Sequence, residues 1–239
     1  MLPQLPIPYH AALQLYSYPV GLYFLNYLTK STSEPEARLH CRVALAEEIF
    51  VKVLPIFTLV FILTKRLQQT GSTKYAERIR KALLWSALGD ALLVNVKSDL
   101  CAILGAASFI AAHVQYKRAF QQSEGKTGGD SPLSSVLVLL SVPVLLMLGS
   151  GHSFILGAMA KGYLVFLFYV MSKAYNRFWH VQQAKSYAAI FGLIGAIAFI
   201  ASDILLLAKE LSAGREGGTF LIMLTYYAAQ FGLAVSALE

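Results

Sequence analysis

Residues 187–208 read YAAIFGLIGAIAFIASDILLLA, and this stretch decides the class of protein. In 22 residues it carries a single charged side chain, the carboxylate of Asp203. About 20 mostly apolar residues are enough for a helix to cross a bilayer. The stretch therefore predicts a membrane-spanning helix with one carboxyl group inside it.

The rest of the chain is built on the same plan. Of its residues 56% are hydrophobic and 14% are charged, with a mean hydropathy of +0.57, whereas soluble domains carry roughly 25% charged residues. Seven further apolar stretches occupy residues 10–29, 44–64, 81–97, 101–117, 133–150, 152–172 and 219–238. Polar linkers separate them at 30–43, 65–80, 118–132, 173–186 and 209–218. We predict an all-α fold, a single integral-membrane domain over residues 1–239 with about eight transmembrane helices.

The basic residues are unevenly distributed between the loops. Loops 65–81, 117–132 and 173–186 hold twelve Lys and Arg residues, and the alternate loops hold six. Because cytoplasmic loops are enriched in basic residues, we predict that both termini are cytosolic. The net charge of +7 then reflects membrane topology, and no motif predicts a nucleic-acid partner. No cleavable signal peptide is recognisable, so the first span is expected to be retained.

Metal-dependent chemistry is disfavoured by the residues. Of the five histidines only His113 lies well inside a predicted span near the carboxylates, and no His-x-x-x-His or Glu-x-x-His pair occurs. No phosphate-binding or dinucleotide motif is present, and a Ser-His-Asp triad would lack the usual Gly-x-Ser-x-Gly elbow. Cys41 and Cys101 are too few for a metal cluster and could form either one bridge or two inert thiols.

Ionisable side chains inside the predicted spans are the informative residues. Such groups are costly in lipid and usually face a bundle interior or a wet cavity. Lys52, Asp90, His113 and Asp203 fit this description, and Lys161 fits it less well. Counting from one membrane face at about 1.5 Å per residue places Lys52 and both aspartates roughly 9–12 Å deep. This common level predicts one polar site in the lumenal or external half of the membrane.

Each of these residues also has a purely structural explanation. Lys52 follows Glu48 by one helical turn, so an ordinary i,i+4 ion pair is an alternative. Asp90 and Asp203 could bond to backbone or to a neighbouring serine. Those serines are Ser86 and Ser202, whereas His113, Tyr226 and Tyr227 could simply pack between helices.

Five segments carry a resemblance to a known family. They are Lys52–Phe57, Ser86–Ala91, Gly105 to Tyr116 with Phe109 and His113, Gly195–Asp203, and Ile222–Gln230 with its Thr-Tyr-Tyr-x-x-Gln pattern. In order and spacing they are similar to the lysoplasmalogenase, or YhhN-like, family, which includes transmembrane protein 86 of animals. The resemblance covers about residues 50–235. Gln115, where an aromatic residue is expected, and the loops at 65–80 and 118–132 depart from it.

The resemblance implies an eight-span hydrolase of the endoplasmic reticulum or a related membrane. Its substrate would be a lysophospholipid, lysoplasmenyl-ethanolamine or -choline, whose sn-1 vinyl ether is cleaved to a fatty aldehyde and glycerophospho-ethanolamine or -choline. Membrane lipids would be its other partners, and no cofactor or metal is implied. Head-group preference and oligomeric state stay open.

Vinyl-ether hydrolysis needs an acid that protonates carbon and an anion beside the resulting oxocarbenium ion. Glycosidases meet a similar requirement with two carboxyl groups, and we predict Asp90 and Asp203 as the catalytic pair. Lys52 would bind phosphate or hold one aspartate ionised. The remaining substrate-binding or orienting residues are predicted to be Ser86, His113, Tyr116, Ser202, Tyr226, Tyr227 and Gln230.

Two other classes of protein share these features. Ala87–Leu93 resembles Ala201–Leu206 four spans later, which indicates either a parallel 4+4 repeat or a chance similarity. Because intramembrane charge and repeats also mark carriers, a transporter or lipid-binding protein without hydrolase activity is the alternative. An intramembrane aspartyl protease is less favoured, because its Gly-x-Gly-Asp motif has Ala87 in place of the first glycine here.

Overall fold

The structure, a computed structural model, describes residues 9–32, 42–95, 98–123, 132–147, 154–181, 187–211 and 218–238. Within these ranges the secondary structure is α-helical and contains no strand, which confirms the predicted all-α fold. The described helices are α1 (Tyr9–Thr32), α2 (Arg42–Thr70), α3 (Lys74–Leu93), α4 (Asp99–Ser123), α5 (Pro132–Leu139), α6 (Ser141–Met147), α7 (Phe154–Val181), α8 (Tyr187–Leu211) and α9 (Thr219–Val235).

Two stretches among the described residues are long and apolar enough to cross a membrane, Asp99–Gln121 in α4 and Tyr187–Lys209 in α8. Their outward faces carry large exposed apolar side chains, for example Ile103 and Ile194. The exposure of such surfaces to water is unfavourable in free energy, whereas their contact with lipid acyl chains carries no such penalty. The described helices are therefore consistent with the integral membrane protein that the sequence predicts.

Several helices continue beyond the predicted spans. The predicted linker 65–80 is mostly helical, because α2 runs on to Thr70 and α3 begins at Lys74. The Thr73 side chain caps α3 by accepting a 3.2 Å hydrogen bond from the backbone N–H of Ala76. The predicted linker 173–186 was also wrong in part, because α7 continues to Val181. Hydropathy locates the apolar part of a helix, but it does not detect the polar turns by which a helix extends beyond that part.

The fifth predicted span, 133–150, is interrupted. It appears as the two short helices α5 and α6, with Leu140 as a turn between them, its N–H bonded to the Val136 carbonyl at 3.0 Å. Pro143 lies shortly after the break. A proline lacks the N–H that would bond four residues back, and its ring crowds that carbonyl. A continuous helix through this segment is therefore unfavourable.

The chain divides into two compact units, and the first comprises Met1–Gln115. In it α1 packs against α2, and α2 packs against α3. Helix α4 approaches α3 closely at Gly89, where a Cβ atom would lie 2.7 Å from the ring of Phe109 and 3.2 Å from the Gly105 carbonyl oxygen. The absence of a side chain at Gly89 thus brings α4 alongside the residue that precedes Asp90.

The second unit comprises Tyr116–Glu239. Helix α7 packs against α5, α6 and α8, and α8 packs extensively against α9. Helices α8 and α9 cross closely at two glycine residues. A Cβ atom on Gly195 would lie 2.8 Å from the Leu233 amide nitrogen, and a Cβ atom on Gly232 would lie 3.0 Å from the Gly195 Cα. Small residues of this kind let membrane helices approach until their backbones touch.

Several sequence predictions lie outside the described residues or are untouched by them. Residues 1–8 and Cys41 are among those not described, so the bridge from Cys41 to Cys101 and the position of the N-terminus stay predictions. The single domain and the 4+4 repeat also stay predictions.

Candidate functional site

Helices α2 and α3 bring Lys52 and Asp90 together in the first unit. The Lys52 Nζ lies 3.6 Å from Asp90 Oδ1, with 20% of the lysine side chain and 4% of the aspartate side chain exposed. Asp90 extends the buried stripe of α3 that includes Ile79, Leu83 and Ser86. A charge buried to this degree is tolerated in proteins when it is paired. The structure thus joins Lys52 to Asp90 across two helices.

Ser86 lies one turn before Asp90 on the same stripe. Its side chain is fully buried, and its Oγ has no hydrogen-bond partner among the described residues. A helical serine usually bonds the carbonyl four residues earlier, so an unbonded buried hydroxyl is uncommon. Ser86 is therefore a donor and acceptor available to a water or a ligand beside Asp90.

The imidazole of His113, in the first unit, is held by its own helix. Its Nδ1 lies 2.7 Å from the Phe109 carbonyl oxygen, and the residue is 2% exposed. A carbonyl oxygen can only accept, so Nδ1 carries a hydrogen in this arrangement. Since the ring of Phe109 also packs on Gly89, the α3–α4 contact and the orientation of His113 share one residue.

Asp203 lies in the second unit with a different partner. Tyr163 of α7 donates a hydrogen bond from its hydroxyl to Asp203 Oδ2 at 2.8 Å, and Asp203 is 8% exposed. The neighbouring Ser202 donates to the Ile222 carbonyl of α9 at 3.0 Å. This serine therefore links two helices. Tyr163 was not among the residues predicted from the sequence.

Tyr116 and Gln230 form a buried pair in the second unit. The Tyr116 hydroxyl donates to Gln230 Oε1 at 2.7 Å, and the two residues are 1% and 0% exposed. With its oxygen engaged, the amide turns its Nε2 elsewhere, and Nε2 has no hydrogen-bond partner among the described residues. An unsatisfied buried donor costs about 1–3 kcal/mol and calls for a water or a ligand atom.

Aromatic rings surround this pair. Phe199 of α8 lies 6.3 Å from the Tyr116 ring and 5.6 Å from the Tyr226 ring, centroid to centroid, the latter edge to face. Tyr227 follows at 5.5 Å from Tyr226. Such contacts stabilise helix packing. The geometry therefore gives Tyr226 and Tyr227 a packing role, and the orienting role stays a prediction.

A second set of buried polar residues on α7 was assigned to a linker by the sequence and lies elsewhere in the second unit. Lys173, Asn176 and Arg177 are each less than 10% exposed, and Arg177 donates to the Ala188 carbonyl at 3.1 Å. A Cβ on Gly192 would lie 3.1 Å from the same guanidinium. Arg177 therefore ties the last turns of α7 to the first turns of α8.

Metal binding finds no support in the described part of the chain. No group of three or more His, Cys, Asp and Glu side chains there could hold an ion. The groups described beside the aspartates include the ammonium of Lys52 and the phenol of Tyr163. The two aspartates lie in different units, and their joint action on one substrate stays a prediction.

Comparison with known proteins gives the family. Residues 47–237 match the YhhN family. The chain is also 28% identical over 197 residues to the lysoplasmalogenase TMEM86A of Bos taurus. The aligned region covers 79% of this chain and 77% of the relative. No solved structure matches the chain. The matched region contains both aspartates, Lys52, Tyr163 and Gln230, and the chain belongs to the YhhN family.

Proposed function

We propose that this protein is a lysoplasmalogenase, which hydrolyses the sn-1 vinyl-ether bond of lysoplasmenyl-ethanolamine or -choline. One observation carries the proposal. The family match extends over two carboxyl groups, Asp90 and Asp203, each buried on a helix beside a proton-bearing partner. The bovine relative, a lysoplasmalogenase by name, supports the same substrate class.

The reaction balances with two carboxyl groups and one water. One carboxylic acid gives its proton to the vinyl β-carbon, whose π electrons form the new C–H bond, and an oxocarbenium ion results. Water adds to the cation and gives a proton to the other carboxylate. The hemiacetal then loses its hydroxyl proton to the first carboxylate, and the departing glycerol oxygen takes a proton from the second. Aldehyde and glycerophospho-alcohol leave, and both carboxyl groups return to their starting states.

The remaining residues fit binding and orienting roles. Lys52 is 20% exposed and can interact with a phosphate while it stays close to Asp90. The buried Nε2 of Gln230 and hydroxyl of Ser86 each offer a hydrogen bond to a water or a lipid oxygen. Binding energy of this kind accelerates the reaction where it orients water against the cation.

Aldehyde release by purified protein tests the activity. The protein in detergent is incubated with lysoplasmenyl-ethanolamine, and the fatty aldehyde is measured by mass spectrometry. Ester and alkyl-ether lysolipids serve as matched substrates, since only the vinyl ether is activated by protonation on carbon. Binding of lysoplasmalogen without aldehyde release would reject the hydrolase and favour a lipid-binding protein or transporter.

The carboxyl pair is tested with Asp90→Asn and Asp203→Asn. Because each carboxyl exchanges protons with the substrate, kcat is expected to fall by at least about 100-fold in each variant. Asp99→Asn is the control, an exposed aspartate in the first turn of α4 that should retain full activity. Since Asp90→Asn leaves Lys52 without its carboxylate, the double variant Lys52→Met/Asp90→Asn is measured as well. Near-normal kcat in either aspartate variant would remove the carboxyl mechanism.

We further propose that the protein lies in the endoplasmic reticulum with both termini in the cytosol. The twelve basic residues in one set of loops against six in the other support this orientation. The end of α2 would then be cytosolic and the start of α4 lumenal, and cysteine labelling in sealed microsomes distinguishes the two sides.

A further inference from the structure

The two buried aspartates differ in whether a cation lies beside them. Asp90 lies 3.6 Å from an ammonium, that of Lys52, whereas the oxygen Oδ2 of Asp203 accepts a 2.8 Å hydrogen bond from a phenol, that of Tyr163. Within the described residues of the second unit, no Lys or Arg nitrogen lies within ion-pair distance of Asp203. An ion pair maintains a carboxylate, while a neutral hydroxyl bonds to either form of a carboxyl group.

We infer that Tyr163 is the positioning residue of Asp203, and that Asp203 is the acid which protonates the vinyl ether, through Oδ1. The inference rests on the proposed function and assigns the roles within it. Asp90, already paired with Lys52, is then the carboxylate that takes the proton from water.

The geometry explains what Tyr163 contributes. Its hydroxyl engages one carboxyl oxygen, so the side chain of Asp203 is fixed in rotation and the proton resides on the other oxygen. When the O–H bond of Asp203 breaks and the C–H bond forms, negative charge spreads over both carboxyl oxygens. The Tyr163 hydrogen bond to Oδ2 strengthens at that moment, because charge-assisted hydrogen bonds are the stronger ones. An interaction that is stronger in the transition state than in the ground state raises kcat.

The first experiment removes the hydroxyl and retains the ring. Tyr163→Phe should lower kcat roughly 10- to 100-fold, the usual worth of a hydrogen bond to a charged group, while KM stays within about twofold since ground-state binding is unchanged. Tyr169→Phe is the matched control on the same helix. The Tyr169 ring lies near Lys117 and Lys173, its hydroxyl has no described hydrogen bond, and phenylalanine keeps the ring. A KM increase with unchanged kcat would overturn the inference.

The second experiment asks whether Tyr163 acts through Asp203. Residues that work as one unit are strongly non-additive. The double variant Tyr163→Phe/Asp203→Asn should therefore be no slower than Asp203→Asn alone. A double variant that is slower by the full Tyr163→Phe factor would show an independent role and would contradict the proposal.

If Tyr163→Phe does not fold, a variant that retains both the ring and the hydroxyl still tests the inference. A fluorinated tyrosine at position 163 donates a stronger hydrogen bond from the same place, so kcat should rise by more than about twofold. An unchanged or lower kcat in the folded protein contradicts the inference.

The outcomes separate this inference from the proposed function. If wild-type protein releases no aldehyde, the lysoplasmalogenase proposal fails. If Asp203→Asn is fully active, the carboxyl mechanism fails with it. If Asp203→Asn is inactive and Tyr163→Phe is as fast as wild type, the assignment of Tyr163 alone is refuted and the hydrolase stands.

Discussion

The ion pair between Lys52 and Asp90 makes a quantitative prediction about stability. Lys52→Met keeps the apolar stem and removes the ammonium 3.6 Å from a carboxylate that is 4% exposed. At that distance two unit charges interact by about 4.6 kcal/mol with an effective dielectric constant near 20. Removal of one partner of a buried pair typically costs roughly 3–5 kcal/mol, because the other charge is left uncompensated. We therefore expect Lys52→Met to lower the free energy of unfolding by roughly 3–5 kcal/mol.

The measurement is reversible unfolding of the purified protein in mixed micelles, followed by tryptophan fluorescence. Lys81→Met is the matched control, since Lys81 is exposed on α3, and should change stability by less than about 0.5 kcal/mol. The double variant Lys52→Met/Asp90→Asn removes both charges and should be more stable than Lys52→Met alone. If the double variant loses as much as the two single variants together, the two side chains are not coupled and the reasoning is wrong.

Two further predictions follow from the packing and the topology. Gly195→Ala should lower the free energy of unfolding by roughly 1–3 kcal/mol through overpacking, since its Cβ would lie 2.8 Å from the Leu233 amide nitrogen; Gly21→Ala, in open space on α1, is the control and should not destabilise. Equal effects in both variants would contradict the close α8–α9 crossing. In a cysteine-free background, Gln68→Cys at the end of α2 should react with an impermeant maleimide in sealed microsomes, and Asp99→Cys at the start of α4 only after detergent. The reverse labelling pattern would show that the protein has the opposite orientation in the membrane.

Hydropathy was enough to locate the helices. Each apolar stretch of the sequence corresponds to described helix, because a backbone in lipid has to satisfy its own hydrogen bonds. The errors lie at the ends, where α7 continues into the predicted linker 173–186 with polar residues that are buried in the second unit. Because Pro143 lies in the fifth apolar stretch, an interruption of that helix could be predicted. The proline alone does not determine the residue at which the helix ends.

The partners of the candidate residues were not predictable in the same way. The sequence placed Glu48 one turn from Lys52, because helical spacing is a local property, and the structure brings Lys52 to Asp90 from another helix. Ser202, an expected neighbour for Asp203, donates to the Ile222 carbonyl instead. Tyr163 could not be distinguished among the aromatic residues of α7, since nothing in a one-dimensional pattern shows that its hydroxyl meets a carboxylate.

By itself the sequence determined that this protein is helical, where its helices lie and which charged groups are embedded in them, because these properties depend on local hydrophobicity and on the high cost of unsatisfied polar groups in lipid. Only the tertiary structure decided that Asp90 lies beside an ammonium and Asp203 beside a phenol. Such partners are chosen by the rotation and close approach of whole helices, which depend on glycine contacts such as Gly89 with Phe109 and Gly195 with Leu233. Those contacts join residues that are far apart in the chain.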